Sequence, residues 1–111
     1  AAVYYPDIAK GVAKAVAKGQ YDTGVLVCGT GNGMAISANK VKGIRAAVCQ
    51  DVFSARRARG HNDANVLCMA GDVVNEAVAR DIALTFFTSA FEGGRHARRV
   101  GKIISLEGEK P

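Results

Sequence analysis

A chain of 111 residues, 49% of them hydrophobic and with a net charge of +5, is one domain, long enough for a single core but not a generous one. Glycine is abundant (13 residues), aromatics are few and Trp is absent, which excludes a disordered or disulfide-built chain and fits a compact α/β domain rich in Ala and Val. Cys28, Cys49 and Cys68 are an odd number without CxxC spacing, the apolar runs are too short to cross a bilayer, and no signal peptide stands out. Free thiols, a cytoplasmic setting and no membrane partner are therefore expected, with one domain over residues 1–111.

The elements follow in order. Ala1 to Tyr5 reads as a short extended start, and Tyr5-Pro6-Asp7 opens a helix with Ile8, Val12 and Val16 on one face and Lys10, Lys14 and Lys18 opposite. Gly19 closes it. Val25 to Cys28 is a buried strand, Gly29 to Gly33 a glycine-rich turn, and Met34 to Val41 a short helix ended by Gly43. Ile44 to Val48 is the second strand. Asp51 caps a helix from Val52 to Arg59 that stops at Gly60, and His61-Asn62-Asp63-Ala64-Asn65 is a polar turn. Val66 to Ala70 is the third strand. A long helix runs from about Asn75 to Ser89 on a buried stripe of Val74, Val78, Ile82 and Phe86. Gly93-Gly94 breaks the chain before a last, basic helix from Arg95, and the tail from Glu107 to Pro111 reads as frayed. Strands alternating with helices predict a parallel sheet covered on both faces, with ligands gathering at the carboxyl ends of the strands.

The chain is organised around Val25-Leu26-Val27-Cys28-Gly29-Thr30-Gly31-Asn32-Gly33. Three glycines at alternate positions free the backbone for a tight turn, which aims N–H groups and a helix N-terminus at one point and suits an anion or a developing oxyanion. A thiol placed there, Cys28, has its thiolate favoured and can act as base or nucleophile. Taken alone, the same residues fit a structural strand–turn–helix with an inert thiol equally well. Two basic clusters stand out, Arg56, Arg57 and Arg59, then Arg95, His96, Arg98, Arg99 and Lys102. Neither interleaves aromatics nor forms a reading motif, so a small anionic substrate is expected rather than nucleic acid.

Tyr5-Pro6-Asp7, Cys28-Gly29-Thr30-Gly31-Asn32-Gly33, Ala38-Asn39-Lys40, Gly43-Ile44-Arg45-Ala46, His61-Asn62-Asp63-Ala64-Asn65-Val66 and Phe91-Glu92-Gly93-Gly94-Arg95-His96 occur in order. Together they closely resemble the ribose-5-phosphate isomerase B family, which includes galactose-6-phosphate isomerases, from Tyr5 to about Ile104. The resemblance implies a three-layer αβα, Rossmann-like parallel sheet of five strands in the order 2-1-3-4-5. It implies aldose–ketose isomerisation of a sugar phosphate through an enediolate, in pentose phosphate metabolism, with no cofactor and no metal. A homodimer or dimer of dimers, with the site at the subunit interface, is implied as well.

Residue by residue, the resemblance makes Cys28 the base that takes the proton next to the carbonyl. Thr30, with the turn of Gly29, Gly31, Asn32 and Gly33, steadies the enediolate oxygens. Some relatives place a Glu directly after Gly-Asn-Gly; Met34 stands there in this chain. His61 opens the furanose ring, Asn62 binds a hydroxyl, and Arg95 and Arg99, four apart on a helix, clamp the phosphate. His96 is expected to be structural.

Two departures are expected to matter. Relatives begin with a strand, an Asp-His turn and a helix, so the chain is expected to be truncated at its amino end and, as it stands, to turn over little or nothing. Relatives also commonly carry Arg where Asp72 stands, which is expected to alter affinity or substrate choice. The competing reading is a non-catalytic phosphate-binding or assembly module on the same fold.

Overall fold

The computed structural model describes residues 4–109. The expected extended start falls partly on residues 1–3, and the end of the expected frayed tail on residues 110–111, outside the described residues. Eight regular elements follow Tyr4: α1 (Tyr5–Ala17), β1 (Gly24–Cys28), α2 (Asn32–Asn39), β2 (Ala46–Val48), α3 (Val52–Asn62), β3 (Val66–Ala70), α4 (Glu76–Thr88) and α5 (Arg95–Ser105), and a short 3-10 turn, Leu106–Gly108, ends the order. No helix among the described residues is long and apolar enough to cross a membrane.

The three strands form a parallel sheet in the order β1-β3-β2, with Gly24 to Cys28 in register with Val66 to Ala70, and Ala46 to Val48 with Val66 to Cys68. The expected order would have left these strands in sequence order with β3 at an edge. Composition explains the difference: Val-Leu-Cys-Met-Ala is apolar on both faces, every residue of it is buried, and such a strand belongs in the middle.

Two cores result. Val66 and Cys68 face Leu26 and the α1 and α2 residues Ala9, Ala13, Val16, Met34, Ala35 and Ala38. Leu67 and Met69 face the opposite way, onto Ala55 and Ala58 of α3 and Ile82 and Phe86 of α4. The fold is thus three-layered, αβα, with helices on both faces of the sheet. Burying Phe86, Leu67, Ile82 and Val66, all fully enclosed, stabilises it by about 1.5–3 kcal/mol each. On α1 the buried face is Ala9, Ala13 and Val16, and Ile8 of the expected apolar face is 45% exposed. Small alanines let α1 and α2 approach the sheet closely, which turns the larger Ile8 outward.

Local chemistry sets the ends of the elements. The Asp51 carboxylate accepts from Ser54 N at 2.6 Å and the Asn75 amide oxygen from Val78 N at 2.9 Å, capping α3 and α4. Helix α2 starts two residues before the expected Met34, because Gly31 at φ 80° is its cap. Strand β2 starts two residues after the expected Ile44. There the Asn39 side chain accepts from Ala46 N at 2.7 Å and donates to Ala46 O at 3.0 Å, pairing with the strand edge as a neighbouring backbone would.

The largest departure is at the end of α3. Gly60 does not stop the helix, which continues through His61 and Asn62 to Asp63, the cap, at φ 49°. That left-handed aspartate is clamped: Arg45 reaches its carbonyl at 2.9 Å and its carboxylate at 3.4 Å, and Arg59 its carboxylate at 3.0 Å. Asn65 then ties the loop to β2, accepting from Arg45 N at 2.8 Å and donating to Gly43 O at 2.9 Å. His61 and Asn62 therefore sit on a helical turn rather than in a loop.

Replacing Asn65 by Ala removes both bonds and leaves two backbone groups without their partner. Urea unfolding is expected to show a loss of about 2 kcal/mol, with unchanged slope; a loss below a few tenths would mean water replaces the amide fully.

Candidate active site

The proposed site residues fall into two groups. The first lies at the carboxyl end of β1. Cys28, half-buried, is the last strand residue, and its carbonyl accepts from Gly71 N at 2.8 Å, which ties the turn to the end of β3. Gly31 is buried at φ 80°, and a Cβ there would meet the Met69 backbone and Val48 at 3.2 Å. The Thr30 hydroxyl accepts from Asn32 N at 3.3 Å, so one of the N–H groups expected to serve an oxyanion is engaged within the turn itself. Those of Gly31 and Gly33 belong to the same turn.

Tyr5, which the sequence does not mark as a site residue, and Asp72, where an effect on affinity or substrate choice is expected, line this turn. The Tyr5 ring lies on Gly33 so closely that a Cβ there would fall 2.5 Å from it. The only signal in the sequence was the adjacency of Tyr5 to Pro6. Asp72 donates from its backbone N–H to Gly29 O at 3.0 Å, and its carboxylate would stand 2.7 Å from a Cβ on Gly29. The turn thus carries a negative charge at its mouth, and a phosphate dianion is disfavoured there.

Thiol chemistry separates the three cysteines. Burial, with Asp51 adding to it, pushes Cys49 up to about 11. Burial, with the neighbouring Cys28 and Cys49, pushes Cys68 up to about 12. Both therefore stay protonated near neutrality, and only Cys28 reaches solvent.

The second group gathers around the end of α3 and the start of α5. The His61 and His96 rings stack with centroids 4.0 Å apart and planes 13° from parallel. The Glu92 carboxylate spans them, Oε2 lying 3.6 Å from His61 Nε2 and Oε1 3.8 Å from His96 Nε2. His96 is buried, and desolvation together with His61, Arg95 and Arg99 lowers its pKa below the usual imidazole value, against an opposing pull from Glu92. The residue expected to be structural is buried, and its ring also stacks on that of His61. Gly94, Arg95, Arg98 and Arg99 line a depression of about 390 Å³ on α5. Among the described residues no carboxylate lies within ion-pair distance of Arg95 or Arg99. Asn62 lines a separate cavity of about 520 Å³ with Arg45, Ile103 and Leu106, beside β2.

His61, Glu92 and His96 have donor atoms within 4.8 Å of one another, as a metal site requires. The stacked rings, however, lie in nearly parallel planes with centroids 4.0 Å apart, which keeps their Nε2 lone pairs from converging on one point, and Arg95 and Arg99 add positive charge. These residues do not fit a dication as they stand.

The structure does not bring the two groups together within one chain. The glycine turn stands where the strands end, whereas α3 runs back along the sheet and finishes beside the start of β3, three residues before Val66. The length of β3 separates them, about 13 Å at ~3.3 Å per residue.

A Rossmann-like αβα domain with a thiol on a glycine turn at one end, and an arginine pair beside histidines at the other, describes an enzyme for a small phosphorylated substrate. Residues 1–103 match the family described as Ribose/Galactose Isomerase, and the chain belongs to it. It is 48% identical over 103 residues to ribose-5-phosphate isomerase B of Escherichia coli, covering 93% of this chain and 69% of that protein. It is 46% identical over 99 residues to a D-erythrulose-4-phosphate isomerase of Pectobacterium atrosepticum, covering 89% and 65%. The ribose-5-phosphate isomerase B of Clostridium thermocellum superposes with a TM-score of 0.94 at 51% identity, over 96% of this chain and 72% of that one. The chain is accordingly a sugar-phosphate isomerase of the aldose–ketose type.

Brief iodoacetamide treatment near neutral pH, followed by peptide mapping, is expected to label Cys28 well before Cys49 or Cys68. Equal labelling of all three would remove the basis for a reactive thiol at position 28.

Proposed function

We propose that this protein interconverts an aldose phosphate of the ribose 5-phosphate class and its ketose at composite sites. Each site joins the Cys28 end of one chain to the His61, Arg95 and Arg99 end of a second copy. The observation that carries this reading is the separation of the two groups across β3, which leaves each chain with both halves of a site facing opposite ways. A two-fold pair of such chains completes two sites at once.

In each site the phosphate lies on Arg95 and Arg99, away from the Asp72 carboxylate, and two guanidinium forks match its dianion. His61 passes a proton to the ring oxygen as the bond from that oxygen to the anomeric carbon breaks, and takes up the proton that the anomeric hydroxyl loses, leaving the free aldehyde. The Cys28 thiolate then removes the proton from the carbon next to the carbonyl. Thr30 and the N–H groups of Gly31 and Gly33 support the charge that develops on the enediolate oxygens, and Asn62 holds a hydroxyl. The Cys28 thiol returns its proton to the neighbouring carbon while the proton of the 2-hydroxyl passes to the former aldehyde oxygen, giving the ketose. No redox partner is needed, because one hydrogen moves between adjacent carbons and one between their oxygens within a single molecule.

Arg99→Ala is expected to weaken ribose 5-phosphate binding by roughly 1.5–3 kcal/mol in titration calorimetry, the range for a hydrogen bond to a charged group. Unchanged affinity would remove Arg99 from the phosphate site.

Cys28→Ala is expected to bind substrate yet lose isomerisation, since the thiolate is needed only in the transition state. Mixing inactive Cys28→Ala with weakly binding Arg99→Ala, after subunit exchange and at low substrate concentration, is expected to restore about a quarter of wild-type turnover, because mixed pairs hold one intact site in two. No recovery would show that the site is not shared between chains, and binding without turnover by the wild-type protein would favour a phosphate-binding module.

A further inference from the structure

We infer that Glu92 is the positioning residue for His61, seated in a notch that Gly60 leaves on α3. This rests on the role just proposed for His61 and adds the group that holds it.

Three contacts build the arrangement. Glu92 N donates to Gly60 O at 3.0 Å, fixing the backbone of the loop against the last turn of α3. A Cβ on Gly60 would stand 2.7 Å from Glu92 Oε2 and 3.5 Å from its carboxyl carbon, so only glycine lets the carboxylate lie flat on the helix. Gly93 and Gly94, at φ 69° and 55°, then bend the chain at once into α5 and bring His96 back under the same carboxylate.

The neighbours of His61 set its tautomer from both sides. Nε2 stands 3.6 Å from the Glu92 oxygen, ion-pair rather than hydrogen-bond distance, so the carboxylate favours the proton on Nε2 by charge and leaves that N–H free to turn to the substrate's ring oxygen. Nδ1 faces Arg57 NH1 at 3.5 Å, and a guanidinium can only donate, so Nδ1 must present its lone pair. Arg95 and Arg99, on the same helix as His96, add positive charge around it. His96, kept neutral by burial and these cations, supplies a flat face that fixes the plane of the His61 ring without competing for a proton. A histidine with one tautomer and one ring plane is ready for directed proton transfer; one free to flip is not.

The sequence motif is accounted for at the same time. A glycine in the last turns of a helix costs up to about 1 kcal/mol relative to alanine, and its retention at position 60 is explained by the carboxylate that occupies its side-chain space.

The experiment compares wild type with Glu92→Gln and Gly60→Ala in the intact protein, by turnover and by long-range 1H–15N spectra of the imidazoles without substrate. In the wild type His61 is expected to show the Nε2–H tautomer, and in both variants a mixture. Turnover of ribose 5-phosphate is expected to fall by about tenfold or more, part of the 10²–10⁴-fold a positioned acid contributes. Erythrose 4-phosphate cannot close a furanose, since its 4-hydroxyl carries the phosphate, and its turnover is expected to stay within about twofold of wild type. Gly60→Ala is expected to melt no lower than wild type, because alanine suits the helix and only the end of a flexible side chain must move. An unchanged His61 tautomer in both variants would overturn the inference, as would equal losses on both substrates. His61→Ala retaining full turnover of ribose 5-phosphate would instead overturn the proposed role of His61, whatever the spectra show.

Discussion

The burial of β3 between two helical layers is the constraint on which the rest depends. Val66 and Cys68 hold α1 and α2 on one side, Leu67 and Met69 hold α3 and α4 on the other, and no residue of the strand reaches solvent. Because its neighbours are parallel, every connection must cross a face and return, which sends the ends of strands and the ends of helices to opposite poles. The chemistry follows that polarity. Cys28 and its turn are strand-end features, whereas His61, Glu92 and the arginines are helix-end or post-helix features.

Charge is sorted in the same way. A net charge of +5 suggests a broadly basic surface, but the arginines do different jobs. Arg45 and Arg59 converge on Asp63 and hold it in a left-handed conformation, a structural task that ends α3 just after His61 and Asn62. Arg57 lies over the Phe53 ring at 4.7 Å and beside His61. Arg95 and Arg99 remain open toward a depression, while the glycine turn faces the carboxylate of Asp72. An anionic group thus finds opposite electrostatic environments at the two poles, and in the composite site proposed above this difference would orient a substrate with one phosphorylated end.

Close approach explains the glycines beside the two groups of site residues better than flexibility does. Gly31 needs its positive φ and has no room for a Cβ; Gly33 accommodates Tyr5, Gly29 accommodates Asp72, and Gly60 accommodates Glu92. In three of these four cases the glycine marks the seat of a side chain distant in sequence. The motif Phe91-Glu92-Gly93-Gly94 therefore belongs to the same local structure as His61-Asn62, thirty residues earlier, although nothing in either segment names the other.

Much of the protein was legible in its sequence because local rules govern it. Short apolar runs bounded by glycine became β1 and β3, Asp51 and Asn75 capped the helices they precede, and Gly93-Gly94 broke the chain before Arg95. The family, too, could be read from motifs alone, since their order and spacing are properties of the chain. Strand order could not, because pairing among parallel strands depends on which one two layers of helices can bury. Nor could the end of α3, where Asp63 rather than Gly60 stops the helix, held by arginines from two other segments. The sequence determined which groups are present and which stand four apart on a helix; tertiary structure alone decided that Glu92 lies between His61 and His96, and that Cys28 stands a strand's length from both. Contacts between residues far apart in the chain are set by packing, and packing leaves no periodicity in the sequence to read.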